Sequence, residues 1–346
     1  MTNINSWKDT WGKIKWEEDK EEIRKQIKHL IEIGADVNAQ SCLGNTPLGF
    51  CVLTRDTESV KMLIDAGADV NFPCRKDGLT ALALVATYMD AEVEMLKLLI
   101  NAGADVNIGD KYGKTALSGA SILGNVEIVK LLIDAGADVN AQDRTLGNCA
   151  LGLAAGKGHV EVVKLLISSG ADVNMNIQQN VYVPPLVKAA KSDCVEVVKL
   201  LMAEGADVNV QTKYGQTPLM MAGEKTARLL IEAGAEVNVH DEENKTPLMK
   251  AAEKGYTEVV KILIGAGVDV NAHDRDNKTA LMVAAEKGYT EVVMVLIGAG
   301  ADINAQDKNG LTAFSWAARK DHAETVKSLI EAGKERNIQV GDREWN

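Results

Sequence analysis

The chain has 346 residues, 46% hydrophobic and 25% charged, with a formal net charge of -11, the composition of a folded, water-soluble protein. The acidic balance argues against a nucleic-acid partner, which needs a basic face to displace counterions, and against an anionic membrane surface. No run reaches the roughly 18 apolar residues of a membrane span, and the N-terminus lacks the apolar centre of a signal peptide.

At the N-terminus, Trp7, Trp11 and Ile14 share one helical face. Ile23, Ile27, Leu30 and Ile31 continue with a second, and the stretch from Glu17 to Lys28 is densely charged on its outer side. This pattern predicts a capping unit over 1–38. Beyond it one phrase recurs, Leu-Ile-x-x-Gly-Ala-Asp-Val-Asn, from Leu30–Asn38 to Leu296–Asn304, with a decayed copy at Leu329–Asn337. Its glycines, Gly34, Gly67, Gly103, Gly136, Gly170, Gly205, Gly234, Gly267, Gly300 and Gly333, set a base period of 33 residues. Length alone would suggest about two domains. A repeat of this period instead builds a solenoid, in which each unit buries its apolar stripe against its neighbours.

Each repeat reads the same way. Thr46-Pro47-Leu48, Thr217-Pro218-Leu219 and Thr246-Pro247-Leu248 open a helix, because Thr caps free N–H groups and Pro at the first helical position loses no bond. Thr80, Thr115, Thr279 and Thr312 keep the cap with Ala after it. Small pairs such as Ala154-Ala155 and Ala251-Ala252 let this inner helix lie close to its neighbours. A second helix follows, as at Val160 to Ile167. There Val162, Val163, Leu166 and Ile167 form the buried stripe, and Glu161, Lys164 and Ser168 the outer face. Gly170 ends that helix in the left-handed conformation, and Asp172-Val173-Asn174 begins an extended excursion to the next cap.

Thr-Pro-Leu, Ala-Ala, Gly158-His-Val-Glu-Val-Val-Lys-Leu-Leu166 and Gly-Ala-Asp-Val-Asn together resemble ankyrin repeats over about residues 13 to 337. The resemblance implies an all-α repeat solenoid of about ten stacked helix pairs with β-hairpin fingers and a concave groove. In the family, groove and fingertips usually bind other proteins. The expected organisation is a capping unit at 1–38, a solenoid at 39–337 and a tail at 338–346. The family often carries His directly after Thr-Pro-Leu. Here that position holds Gly49, Ala83, Ser118, Gly152, Val187, Met220, Met249, Met282 and Ser315, so the hydrogen bond usual there is not expected.

The repeats depart from themselves in three places. Two residues are inserted between Thr80 and Leu99, the finger from Asn174 to Pro184 is two residues longer than standard, and the repeat from Thr217 to Leu230 is four residues short, about one helical turn. Thr246–Asn271 and Thr279–Asn304 are nearly identical, reading as an internal duplication and regular scaffold. Specific function is expected in the irregular middle and N-terminal repeats.

Catalytic and metal motifs are missing: no phosphate-binding glycine loop, no His-Glu-x-x-His and no Gly-x-Ser-x-Gly. His240 and His273 occupy matching finger positions. Neighbouring repeats stack about 8–10 Å apart and zinc-bound imidazoles need about 2.0–2.1 Å, so solvated histidines are the better reading. His159 takes the turn position of Tyr256 and Tyr289, which favours a structural role for all three. The recurring Asp36, Asp69, Asp105 and Asp138 read as turn formers rather than as a calcium or acid–base array. The five cysteines, odd in number and without a CxxC pair, read as free thiols in a reducing compartment. Cys51 is a small core residue, and Cys42 and Cys74 are exposed, inert finger thiols.

The binding signals are better. Aromatics are 4% of the chain, yet Phe72, Tyr112, Tyr182 and Tyr214 fall on fingers, with Leu43 and Leu146 beside them. Tyr88 lies in the insertion near the groove rim. Exposed aromatics suit interface hot spots. Arg75, Lys76, Lys111, Arg144 and Lys213 add positive charge on the same edge, suited to an acidic partner strip. The groove-side column reads Phe50, Leu84, Gly119, Leu153, Lys188, Met221, Lys250, Val283 and Trp316, part groove and part helix packing. The expected binding set is Leu43, Phe50, Phe72, Tyr88, Tyr112, Leu146, Tyr182, Tyr214, Met221 and Trp316. The expected function is non-catalytic capture of another protein by a cytoplasmic monomer without cofactor or metal. The alternatives are an enzyme or ligand site in the irregular central repeats, or a mechanical spacer.

Overall fold

The computed structural model describes residues 10–14, 19–88, 92–175 and 183–335. Among them are nineteen α-helices and a 3-10 turn at Trp11–Lys13. Two compact halves divide the chain, one ending at Asp172 and the other holding the elements that follow.

The first half begins with the 3-10 turn and α1 (Lys20–Glu32) and continues as helix pairs. These are α2 (Pro47–Leu53) with α3 (Thr57–Asp65), α4 (Ala81–Tyr88) with α5 (Val93–Asn101), α6 (Ala116–Leu123) with α7 (Val126–Asp134), and α8 (Ala150–Lys157) with α9 (Val160–Ser168). The second half holds α10 (Pro185–Lys191) with α11 (Val195–Ala203), α12 (Pro218–Met221) with α13 (Glu224–Glu232), and α14 (Pro247–Lys254) with α15 (Thr257–Gly265). It closes with α16 (Ala280–Lys287) beside α17 (Thr290–Gly298) and α18 (Ala313–Arg319) beside α19 (Ala323–Glu335). Within each half, first helices pack on first helices and second on second, as in α4–α6–α8 and α13–α15–α17.

The first helices start as the sequence dictates. Thr46 Oγ1 accepts the Gly49 N–H at 3.1 Å, and Thr246 does the same for Met249 at 3.3 Å. Cys149 stands where most other repeats carry Thr, and its Sγ accepts from Gly152 N–H at 3.4 Å. In α9 Val162, Val163 and Leu166 of the expected stripe are fully buried and Ile167 is half-buried, and Glu161, Lys164 and Ser168 face solvent. Each buried Val or Leu contributes roughly 1.5–3 kcal/mol, from packing on the first helix of its own repeat, as α9 on α8, and on the neighbouring repeat, as α9 on α7.

The phrase after each second helix works as a helix stop, a turn and a link between repeats. The stop glycines from Gly34 to Gly300 have φ between 76° and 93°, a region that favours glycine. The Asp then closes a turn: Asp105 Oδ1 accepts the Asn107 N–H at 2.8 Å, and Asp302 repeats this with Asn304 at 2.9 Å. The Asn reaches onward. Its Oδ1 accepts the backbone N–H of the next repeat's Asp, as from Asn38 to Asp69 at 2.9 Å and from Asn271 to Asp302 at 2.8 Å. At Gly333 the device fails. Lys334-Glu335 replaces Ala-Asp, nothing pulls the chain into a turn, and α19 runs through Gly333 to Glu335.

The N-terminal cap is partly as expected. Trp11 and Ile14 are buried, and Trp11 Nε1 donates to the Asp36 carbonyl at 2.7 Å. Ile23 and Ile27 are buried on α1. Trp7 and the tail from 338 to 346 lie outside the described residues. The fingers do not form the expected β-hairpins. Among the described residues no strand forms, and only two isolated bridges occur, Gln142 with Cys149 and His273 with Thr279. The fingers are instead tight turns closed by one or two backbone bonds, such as Asp110 N–H to Lys114 O at 3.0 Å.

Candidate binding surface

Several fingertips are each held by one polar side chain that gathers backbone N–H groups. Asp110 Oδ1 accepts from Tyr112 and Lys114, Asp241 from Glu243 and Lys245, and Ser41 Oγ from Leu43 and Asn45. Asp143 takes Thr145 and Leu146 N–H on Oδ1 and Asn148 Nδ2 on Oδ2. Burial would raise the Asp143 pKa, but those donors outweigh it and hold it below the usual carboxylate range. Adjacent tips are also joined. Lys111 N–H donates to Asp77 O at 2.8 Å and Arg144 N–H to Tyr112 O at 2.7 Å. In the first half the bonded tips form a row in which Asp110 and Asp143 turn into their own turns while Lys111, Tyr112, Arg144 and Leu146 are exposed.

Several expected binding residues stand on that row. In the first half Leu43 is 63% exposed, Leu146 51% and Tyr112 44%. Lys111 Nζ lies 4.8 Å from the Tyr112 ring centre. Tyr88, at the end of α4, is 55% exposed, with the Arg75 guanidinium 6.0 Å from its ring. In the second half Tyr214 is exposed on its own tip. Phe50, Phe72 and Met221 are half-buried. Tyr182 lies outside the described residues, as does most of the long finger that carries it.

The groove-side column divides in the way its packing requires. Leu84 and Val283 are buried between helices. Gly119 has no room for a side chain, because a Cβ there would run into Thr87 Oγ1 of the preceding helix. Lys250 is engaged with Asp241 at 2.8 Å. Trp316 is half-buried, donates through Nε1 to Asp307 Oδ2 at 3.1 Å, and carries Lys278 Nζ 3.5 Å from its ring centre. Its outer face is therefore already partnered.

One expectation is overturned. Cys74 is buried rather than exposed. Its finger folds inward over Gly49, where an added Cβ would lie 2.7 Å from the Cys74 Cβ, and burial pushes the thiol up to about 11. Cys42 is exposed and Cys51 buried, as expected. His159 packs structurally: Nε2 meets the Ile122 carbonyl at 2.9 Å, and the ring covers Gly124. Tyr289 covers Gly255 in the same way. Among the described residues no three His, Cys, Asp or Glu side chains could hold a metal ion, and no helix is long and apolar enough to cross a membrane.

Two polar features were not read from the sequence. Arg24 grips buried Asp56 through Nε and Nη2 at 2.6–3.1 Å, and Ser59 Oγ adds a bond at 2.6 Å. In the shortened repeat α12 has four residues, and Asp193 of the preceding repeat reaches across. Its Oδ1 accepts Thr226 N–H at 3.0 Å and Thr226 Oγ1–H at 2.8 Å. Beside it lies a recess of about 500 Å³ lined by Lys191, Asp193, Glu224, Tyr256 and Glu258. A second recess of about 500 Å³ sits beside the fingers of the second half. Its charges pair among themselves, Lys245 with Glu243 at 2.8 Å and Lys278 with Glu286 at 2.9 Å.

A family model for ankyrin repeats matches the chain in overlapping segments from residue 20 to residue 342. The chain is an ankyrin-repeat protein. Over 61 residues, 17% of its length, it is 44% identical to the ankyrin repeat protein FPV233 of Fowlpox virus (strain NVSL), of which that match spans 12%. Ankyrin repeats are generally protein–protein interaction modules, and the family is generally non-enzymatic. The departure from the family after Thr-Pro-Leu has a local reason in two repeats of this ankyrin chain. Gly49 makes room for Cys74, and Ser118 Oγ donates to the Thr115 carbonyl at 2.7 Å.

Proposed function

We propose that this ankyrin chain is a non-catalytic module that captures a partner protein on its fingertip edge and adjoining groove. The observation that carries this reading is the set of large apolar side chains, Leu43, Tyr112 and Leu146, held out to solvent on hydrogen-bonded turns, the last two turns joined by the bond from Arg144 N–H to the Tyr112 carbonyl. An apolar side chain on a braced turn loses little freedom on binding, so its burial contributes more fully to affinity. Exposed Leu and Tyr side chains on three fingertips would have no use in a mechanical spacer. The recess beside the second-half fingers, where Lys245 pairs with Glu243 and Lys278 with Glu286, gives no support to a catalytic site. On this reading the protein acts as a monomer in the cytoplasm, a setting that suits its free cysteines.

The test is affinity capture from a cell lysate with the full chain as bait, beside a variant carrying Leu43→Ala, Tyr112→Ala and Leu146→Ala. The variant should lose the captured protein while its helical content and melting stay unchanged. Capture at full strength by the variant would show that the fingertips are not the binding surface.

A further inference from the structure

The fingertips of the first half carry a second pattern besides the apolar one. The residue that opens each tip occupies an equivalent place in consecutive repeats: Lys76, Lys111 and Arg144. All three are exposed, and none forms an ion pair among the described residues. Their equivalence is set by the backbone. Lys111 N–H bonds to the carbonyl of the residue after Lys76, and Arg144 N–H to the carbonyl of the residue after Lys111. The acids on the same tips do not offset them toward solvent. Asp110 and Asp143 spend their carboxylates on backbone N–H groups inside the turn, and Asp77 sits 3.6 Å from Arg75. In the second half the same positions read Lys213, Glu242, Arg275 and Lys308, so Glu242 interrupts the basic row, and Lys308 is 3.8 Å from Asp276. A single-sign row thus stands on one edge of a chain whose net charge is -11.

We propose that this edge binds an extended acidic polypeptide segment whose Asp or Glu side chains recur at every third residue and meet Lys76, Lys111 and Arg144 in turn. The inference rests on the protein-binding reading above and names the partner's chemistry. The spacing follows from geometry. Successive repeats stand about 8–10 Å apart, the packing distance of helices, and three residues of a polyproline II chain span about 9 Å and bring every third side chain to the same face. The residues between the acids face Leu43, Tyr112 and Leu146, so apolar side chains fit there. Such a row draws in and orients an acidic strip and repels a basic one. The phosphates of a single-stranded nucleic acid would also be attracted, but the overall negative charge opposes a long polyanion, whereas a short peptide meets only the basic edge.

The experiment uses the full chain and two short synthetic peptides of identical composition, one with Glu at every third residue and one with the same Glu residues in a single block. Fluorescence anisotropy should show binding of the spaced peptide that weakens steeply with salt. A variant carrying Lys76→Glu, Lys111→Glu and Arg144→Glu should bind it about tenfold more weakly or worse, with unchanged circular dichroism and melting. Failure of the spaced peptide to bind, equal binding of the block peptide, equal binding by the charge-reversed variant, or tighter binding of a single-stranded oligonucleotide each overturns the proposal. If the peptides fail while lysate capture stays sensitive to Leu43→Ala, Tyr112→Ala and Leu146→Ala, only the acidic occupant falls. If capture survives those three changes, the protein-binding reading falls as well.

Discussion

Asn107 bonds the next repeat with both ends of one amide: Oδ1 accepts the Asp138 N–H at 2.8 Å and Nδ2 donates to the Gly136 carbonyl at 3.1 Å. The same pair of bonds recurs at Asn71, Asn140 and Asn271. Replacing Asn107 with Ala removes two bonds without touching the apolar core. Urea denaturation should show a loss of about 1–2 kcal/mol, near the net value of two hydrogen bonds. A loss within error of zero would mean that water replaces the link at no cost.

The Arg24–Asp56 pair makes an acid-sensitive contact. Burial would raise the Asp56 pKa, but the hydrogen bonds from Arg24 and Ser59 outweigh it and hold it below 3.8, its ordinary value. A lowered folded pKa means the stabilisation is fully present above that ordinary value and is lost as pH falls through the folded one. Arg24→Met should therefore destabilise the protein by about 1–3 kcal/mol at neutral pH. It should also move the midpoint of acid unfolding upward. An unchanged midpoint would show that Ser59 alone holds the charge.

Asp193 replaces with two hydrogen bonds some of the packing that α12 lost with its missing turn. Pro218–Glu232 should exchange amide hydrogens faster than α14 through α17, because less packing protects it. Asp193→Ala should speed that exchange further, by the equivalent of about 1–3 kcal/mol. Asp193→Asn keeps the acceptor and tolerates the φ of 52° at this position, so it should change little. Equal exchange in the wild type and both variants would remove the clamp from the account.

Thiol chemistry separates the fingers. Cys42 is exposed, whereas Cys51, Cys74 and Cys149 are buried. The thiolate is the reactive form, and burial pushes Cys74 to about 11. Modification of the native protein with a disulfide reagent near neutral pH should begin with a fast phase that Cys42→Ser abolishes. A fast phase that survives this change and disappears in Cys74→Ser would mean that the second finger opens readily.

Much of the frame was legible because period and chemistry coincide. Thr46, Gly170 and the Val162–Leu166 stripe each carry a local rule, and each behaves accordingly. What stayed hidden depends on residues about one repeat apart. Cys74 looked like a finger thiol, and only the proximity of Gly49 shows that the finger folds it inward. Asp193 and Thr226 are separated by 33 residues and share no motif. The recurring Asn was visible as part of a phrase, but its bond to the following repeat requires the stacked backbone. Gly333 looked like a tenth stop, yet with Lys334-Glu335 after it the helix continues. Leu43, Tyr112 and Leu146 were found because a fingertip has too few neighbours to hide a large side chain, whereas Leu84 and Trp316, on the inner helices, are covered by neighbours that repeat register alone does not reveal.

The linking asparagine has a consequence for how this chain can change length. Each repeat offers the same acceptor and donor at its trailing edge and takes the same partner at its leading edge, as Asn271 does toward Asp302 and Gly300. The couplings are interchangeable, so a whole repeat inserted or excised in register leaves every seam chemically identical to the seams around it. Thr246–Asn271 and Thr279–Asn304 are nearly the same text, and in such an array a copied repeat needs no new joint.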